Sequence, residues 1–214
     1  MLRNQTVSRL FTYCTILCLL VVSAGYLRAE VMRDQYFAPS TGWSQAYAGR
    51  QIAQSFYITL DGFLESIDLH VNRQTGTLGT MLWDIRPLIN GLPSASSTDA
   101  LVSGSIAIAN LPRYVDTSPI SLDISDRNIR VRPGDEFAIV IGSTNDGAYW
   151  LSHGSGVANH GKKYERPGND LWRLDTFSAE RPRAFATYFR LIPEPSSLLL
   201  IFAGMGAVLL KRAR

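Results

Sequence analysis

An apolar–polar alternation of period two runs through the chain between residues 50 and 191. The apolar members of two such segments are Phe56, Ile58 and Leu60 in QSFYITL and Met81, Trp83 and Ile85 in TMLWDIR. Alternation of this kind is typical of β-strands that bury one face. No segment of the same span shows a sustained apolar stripe with the period of about 3.6 residues that a helix requires. The sequence therefore predicts an all-β fold.

Turn signals divide the alternating segments into about nine predicted strands. Asp61-Gly62 separates QSFYITL from FLESIDLHV and predicts a type I′ hairpin between them. Arg132-Pro133-Gly134-Asp135 predicts a type II turn, and EFAIVIG after it is apolar on both faces, which indicates a central strand. Long loops are expected at residues 91–98 and 152–170. These features favour a two-sheet antiparallel β-sandwich of jelly-roll type, with a closed barrel as the alternative.

Both ends of the chain differ from the body. Arg3 and Arg9 precede an apolar stretch that ends in small residues at Ala24 and Ala29, which is the pattern of a secretory signal peptide. Cleavage after Ala24 and cleavage after Ala29 both fit this pattern. The sequence thus predicts a signal peptide with a helical apolar part at residues 1–29 and a β-sandwich domain at residues 30–191. A C-terminal segment with a short apolar helix follows at residues 192–214.

The body has a net charge opposite in sign to that of the whole chain. The full sequence carries +3, but six of its 21 lysines and arginines lie in the terminal segments. The span from Glu30 to Glu194 holds all 18 acidic residues and 15 basic ones, a net charge of −3. An electrostatic argument for nucleic-acid binding therefore fails. Cys14 and Cys18 lie in the predicted signal peptide, so the body offers no disulfide, zinc–thiolate site or thiol nucleophile.

Residue types that carry catalysis or bind metals form no recognisable motif in the body. His153 and His160 are seven residues apart, which fits no compact metal-ligand motif. The carboxylates that are candidates for the paired acids of a glycosidase are Asp84, Asp116, Asp146, Glu165 and Asp170. Asp84 and Asp116 are also candidates for calcium, without a clustered ligand run in support. We expect no catalytic residue and no cofactor, with a secreted glycan-active hydrolase that uses paired carboxylates as the alternative.

Aromatic residues give the positive indication of a binding site. The aromatic residues that bracket the glycine-rich segment after residue 152 are Tyr149, Trp150, Tyr164 and Trp172. Sugars stack on aromatic faces, while amides and carboxylates bind their hydroxyl groups. The sequence predicts a glycan-binding patch formed by Tyr149, Trp150, His153, Asp170 and Trp172. The alternative is that Trp150 and Trp172 fill the core between the sheets.

The C-terminal segment contains three elements in a defined order. Pro193-Glu194-Pro195 is followed by the apolar run SSLLLIFAGMGAVLL and then by the basic end KRAR. As a helix, residues 198–210 would span about 20 Å, which is short of a hydrocarbon core of about 30 Å. The segment resembles the PEP-CTERM sorting signal of exported bacterial proteins. The resemblance implies recognition and cleavage by an exosortase near Pro193, Glu194 and Pro195, after a transient association with the cytoplasmic membrane.

The body resembles, less specifically, a β-sandwich that recurs in such surface proteins. GWSQAYAGRQIAQSFYITLDGFLESIDLHV is similar to their first strands and LWRLDTFSAERPRAFATYFR to their last, with Ala184 and Ala186 departing from the pattern. These domains have no assigned activity, so the resemblance implies fold and location. We expect a non-enzymatic exported protein of the cell surface or extracellular matrix, with exopolysaccharide as a ligand. A purely structural module is the third hypothesis.

Overall fold

The chain is built mainly from antiparallel β-strands. The structure is a computed structural model that describes residues 30–74, 76, 78–114, 116–145, 147–153, 161–176 and 181–192. Its strands are β1 Val31–Tyr36, β2 Pro39–Ala46, β3 Arg50–Tyr57, β4 Gly62–Leu69, β5 Val71–Arg73, β6 Thr80–Ile89, β7 Leu92–Pro93, β8 Val102–Ala107, β9 Ile120–Asp123, β10 Ile129–Val131, β11 Glu136–Ser143, β12 Ala148–His153, β13 Lys163–Pro167, β14 Arg173–Leu174 and β15 Phe185–Leu191. The all-β prediction is confirmed. The two terminal helices that the sequence predicts lie outside the described residues.

The strands form three sheets. The seven-stranded sheet has the order β14-β13-β3-β11-β6-β7, with β8 also paired to β6. The five-stranded sheet has the order β1-β15-β4-β10, with β9 also paired to β4, and the three-stranded sheet has the order β2-β12-β5. The two smaller sheets are joined where the amide of Leu151 donates to the carbonyl of His70 and the amide of Ala184 to that of Leu151. The predicted count of two sheets is thus corrected to three.

Inward-facing side chains from all three sheets meet in one hydrophobic core. Its members include Ile52, Phe56, Leu64, Ile67, Trp83, Ile85, Ile139, Ile141, Trp150, Phe185 and Phe189. Within β6, Met81, Trp83 and Ile85 are buried, as the period-two pattern predicts. β11 lies between β3 and β6 and is buried along most of its length, which confirms that EFAIVIG is a central strand.

The predicted hairpin at Asp61-Gly62 is wrong. β3 pairs with β11 and β13 in the seven-stranded sheet, whereas β4 pairs with β9, β10 and β15 in the five-stranded sheet. Residues 58–61 therefore carry the chain from one sheet to the other. Gly62 allows β4 and β15 to approach each other closely. A Cβ at this position would lie 2.5 Å from the carbonyl oxygen of Arg190 on β15.

Among the other predicted connections, the turn before β11 is confirmed, whereas the two predicted long loops contain strands. At Arg132–Asp135 the amide of Asp135 donates to the carbonyl of Arg132 at 3.0 Å, and Gly134 has φ +93°, as a type II turn requires. The loop predicted at residues 152–170 contains β13, which pairs with β3. The loop predicted at residues 91–98 contains β7. Among the residues that the structure describes, no helix is long and apolar enough to cross a membrane.

Candidate functional site

The three aromatic rings of the predicted glycan-binding patch are buried. Trp150 is 0% exposed, Tyr149 4% and Trp172 5%. The indole Nε1 of Trp150 donates to the carbonyl of Ala184 at 2.9 Å, and that of Trp172 to the carbonyl of Ser94 at 3.2 Å. Both indole N–H groups are satisfied by the protein, and no ring has an open face for a sugar. This burial contradicts a patch made of these rings. Trp150 belongs to the core between the sheets, as the alternative expects, whereas Trp172 packs in a separate small cluster with Ala53, Ala138, Val140 and Tyr164.

Of the remaining predicted site residues, Asp170 is the one whose side chain the structure describes. Asp170 is exposed on the turn that follows β13, where its carbonyl accepts a hydrogen bond from Arg166 Nε at 2.7 Å. His153 is the last residue of β12, and its side chain lies outside the described part of the structure. The motif Pro193-Glu194-Pro195 also lies outside the described residues, so the sorting site stays a prediction.

An open cleft of about 470 Å³ lies elsewhere, between residues of β2 and residues of β13 and β14. We call it the Trp43 cleft. β2 is an end strand of the three-stranded sheet, and β14 is an end strand of the seven-stranded sheet. The residues that line it include Trp43, Gln45, Arg50, Glu165, Arg173 and Asp175. Trp43 is the aromatic member of this lining, and the other five are polar or charged.

Trp43 belongs to a small aromatic cluster on the outer face of the three-stranded sheet. In the register of β2 and β12, Trp43 lies opposite Leu151 and Tyr149 lies opposite Gln45, so Trp43 and Tyr149 are diagonal neighbours on one face. Their ring centroids are 4.9 Å apart with the planes at 84°, an edge-to-face contact. Tyr149 also has an edge contact with Tyr114, at 6.4 Å. Trp43 and Tyr114 are 45% and 47% exposed, whereas Tyr149 supports them from a buried position.

Two arginines bind a carboxylate among the residues that line the cleft. Arg50 Nη2 donates to Glu165 Oε2 at 2.6 Å, and Arg173 Nε donates to Glu165 Oε1 at 2.8 Å. Burial raises the pKa of Glu165, but the hydrogen bonds and charges of Arg50 and Arg173 outweigh it and lower that pKa overall. Glu165 is therefore ionised at neutral pH, with both oxygens engaged.

Asp175, which also lines the cleft, is bound by two buried cations. Arg183 Nη2 is 3.2 Å from Asp175 Oδ2, and Lys163 Nζ is 3.9 Å from the same oxygen. Arg183 is anchored further by its Nη1, which donates to the carbonyl of Ala53 at 2.6 Å. Burial lowers the pKa of Lys163 to about 8 and that of Arg183 to about 10, while the charge of Asp175 opposes both shifts.

The other carboxylates considered from the sequence have structural partners. Asp84 is paired with Arg86, whose Nη1 also donates to the carbonyl of Ser94 at 3.1 Å. Asp116 accepts a hydrogen bond from the amide of Ser118 at 2.8 Å, and hydrogen bonds from Ser118 lower its pKa. Asp146 lies outside the described residues. Within the described part of the chain, no three His, Cys, Asp or Glu side chains lie close enough together to hold a metal ion.

The sequence around Trp43 contains a signal for an exposed aromatic residue. In GWSQAY, Trp43 and Gln45 alternate with Ser44 and Ala46. A tryptophan that shares a strand face with glutamine is a candidate for an exposed face. Which face of β2 is exposed depends on its pairing with β12, more than 100 positions further along the chain. The ion pairs from Glu165 to Arg50 and Arg173 likewise depend on the position of β13 between β3 and β14, in a segment that the sequence predicts to be a loop.

The fold and the cleft define an all-β domain with an open cleft between end strands of two sheets. No family model matches the chain, and no curated protein matches its sequence. The chain is similar in fold to a variant of the clostridial cysteine protease Cwp84 after propeptide cleavage, with 14% identity and a TM-score of 0.55 over 76% of this chain and 40% of that one. A structure of the cysteine protease and lectin-like domains of Cwp84, a surface layer associated protein of Clostridium difficile, gives 14% identity and a TM-score of 0.46, over 72% and 37%. At this identity the likeness concerns the fold alone.

Proposed function

We propose that this protein is a non-enzymatic exported protein of the cell surface or extracellular matrix that binds exopolysaccharide in the Trp43 cleft. The observation that carries the proposal is the exposed indole of Trp43 in a cleft that it lines together with Leu174 and with polar and charged side chains. Sugar rings stack on aromatic faces, while amide and charged groups bind their hydroxyls. Trp43, Gln45 and Arg50 supply both kinds of group within one cleft.

The charges of the cleft support binding rather than hydrolysis. A glycosidase needs one carboxylic acid that stays protonated, so that it can protonate the leaving group. Glu165 is held as a carboxylate by two arginines, and Asp175 is bound by Arg183. A hydrolase that uses Glu165 as its general acid does not fit this arrangement.

The predicted targeting segments support the export part of the proposal. Residues 1–29 have the pattern of a signal peptide, and residues 192–214 resemble a PEP-CTERM signal. Exosortase and, transiently, the cytoplasmic membrane are therefore the proposed partners, with no role for nucleic acid. The acidic balance between Glu30 and Glu194 is consistent with that choice.

The strand order supports a jelly-roll assignment for the body. One layer combines the five-stranded and the three-stranded sheet. In this layer β15 lies between β1 and β4, and β12 lies between β2 and β5. β4 also pairs with β9 and β10. In the other layer the order is β3, β11, β6 and β8, with β13 and β14 added beside β3. Strands that follow each other in sequence therefore alternate between the layers at several crossings, as in the two Greek keys of a jelly roll.

Affinity electrophoresis of the full-length protein tests glycan binding, in gels that contain exopolysaccharide from the native host. We expect the polymer to retard the wild type and Trp43→Ala to lose affinity by roughly tenfold or more, about 1.4 kcal/mol or more. Tyr36→Ala is the matched control, because Tyr36 is a comparably exposed aromatic on β1. Absence of retardation of the wild type, or unchanged binding by Trp43→Ala, contradicts the proposal.

A further inference from the structure

The Trp43 cleft is locally basic on an acidic body. The described charged groups that line it or bind its lining are the cations Arg50, Lys163, Arg173 and Arg183 and the carboxylates Glu165 and Asp175. The four cations exceed the two carboxylates by two charges, whereas the span from Glu30 to Glu194 carries −3. The lining itself holds two cations and two carboxylates, and the buried Lys163 and Arg183 that bind Asp175 add two positive charges to the local potential, which attracts anions. The charge of the cleft therefore favours an anionic ligand.

Arg173 is the cation that is available to such a ligand. Its side chain is 64% exposed, compared with 26% for Arg50 and 0% for Arg183. Among the described residues it donates one hydrogen bond, from Nε to Glu165 Oε1. Arginine carries five N–H donors in a planar fork, so the Nη donors of Arg173 remain open at the rim of the cleft.

Glu165 orients Arg173 without cancelling the charge of the cleft. Its two oxygens are divided between Arg50 and Arg173, so its single negative charge is shared by two guanidinium groups. The Nε hydrogen bond fixes one edge of the Arg173 guanidinium and leaves the other edge for a ligand. A planar carboxylate matches that edge because it can accept two parallel hydrogen bonds.

We infer that the Trp43 cleft binds an acidic polysaccharide, in which a sugar ring stacks on Trp43 and a uronate-type carboxylate pairs with Arg173. This inference rests on the proposed glycan-binding function of the same cleft and specifies its ligand class. Trp43 provides affinity for the sugar ring, and Arg173 selects its charged substituent. Arg50 and Glu165 act as positioning residues for Arg173.

Two polymers that differ only in the carboxylate test the inference. Polygalacturonate and the same polymer with its carboxyl groups reduced to hydroxymethyl groups are titrated into the full-length protein, with binding measured by calorimetry. Dextran sulfate and dextran form a second pair, which separates a carboxylate from an anion of any kind. The variants are Arg173→Gln, Trp43→Ala and the control Arg130→Gln, whose side chain is exposed and paired with Asp61 away from the cleft.

We expect polygalacturonate to bind roughly threefold to tenfold more tightly than its reduced form. Arg173→Gln should abolish this preference while leaving the reduced polymer unaffected, and Arg130→Gln should change neither. Equal binding of polygalacturonate and its reduced form, a preference that survives Arg173→Gln, or binding of dextran sulfate as tight as that of polygalacturonate overturns the inferred pairing of a uronate-type carboxylate with Arg173 and leaves the proposed glycan function standing. Binding of no polymer, including the exopolysaccharide of the native host, overturns both.

Discussion

Two tryptophans of this protein differ in role because of the strand face on which they lie. Trp150 lies opposite Ser44 and Trp43 lies opposite Leu151 in the same strand pair, so the two indoles project to opposite faces. One face is the core, where Trp150 donates its N–H to Ala184, and the other carries the Trp43 cleft. The residue type alone does not distinguish these two roles.

Lys163, which lies beside the cleft residue Asp175, is buried, and this burial lowers its pKa to about 8. In the unfolded chain a lysine titrates near about 10.4, so between these two pH values the unfolded state binds more protons. Stability must therefore rise with pH in this window. We expect the free energy of unfolding of the wild type to rise relative to Lys163→Met by on the order of 1–3 kcal/mol between pH 7 and pH 10.

Urea denaturation at a series of pH values measures this difference. Lys162→Met is the matched control, since Lys162 is the exposed neighbour of Lys163. Its free energy of unfolding should follow the wild type in parallel across the whole range. A Lys163→Met curve that also runs parallel to the wild type excludes a depressed pKa for Lys163.

At the scale of elements, the connection between β3 and β4 determines the layering of the fold. Gly62 begins β4, and a Cβ there would lie 2.5 Å from the carbonyl oxygen of Arg190. Gly62→Ala should therefore force β4 and β15 apart and destabilise the fold by about 1–3 kcal/mol. Gly142→Ala is the control within a strand, because its Cβ would have no neighbour closer than 3.5 Å. Thermal unfolding followed by circular dichroism measures both, and equal stability of the two variants contradicts this account of β4 and β15.

The elements also show what the sequence can and cannot predict. The alternation of Met81, Trp83 and Ile85, the turn before β11 and the central position of β11 are local patterns, and the structure confirms them. The prediction of a hairpin at Asp61-Gly62 is wrong because a short connection between two strands is compatible both with a hairpin and with a crossover between layers. The choice between hairpin and crossover depends on which strand β3 pairs with. Its partner β11 lies about 80 residues further along the chain.

The candidate site was less predictable than the fold for the same reason. The expected patch used residues close in sequence to the glycine-rich segment, including Trp150 and Trp172. The Trp43 cleft joins Trp43 to Glu165 and Arg173, which lie far apart in the chain. Only the pairing of β2 with β12 and of β13 with β3 and β14 brings these residues to one edge.

At the scale of the whole molecule, charge is distributed unevenly along the chain. The basic residues outside the span from Glu30 to Glu194 lie in the predicted targeting segments, and that span carries a net charge of −3. An acidic body resists non-specific association with polyanions, so an anionic polymer is expected to bind where cations are concentrated. The distribution of charge along the chain is thus compatible both with an anionic ligand and with the proposed export route.

The proposed sorting predicts a defined mature mass. An apolar run of about 20 Å is short for permanent spanning of a membrane. Its basic end favours a position on the cytoplasmic side of that membrane. The body would therefore lie outside, held temporarily by a C-terminal segment that can be cleaved off. We expect intact mass spectrometry of the protein from its native host to show loss of residues up to 24 or 29 and a new C-terminus near Pro193-Glu194-Pro195. A variant with these three residues changed to alanine should stay in the membrane fraction with its C-terminal segment uncut. Wild-type protein that still ends at Arg214 contradicts the exosortase proposal and leaves the Trp43 cleft to be judged by its own binding tests.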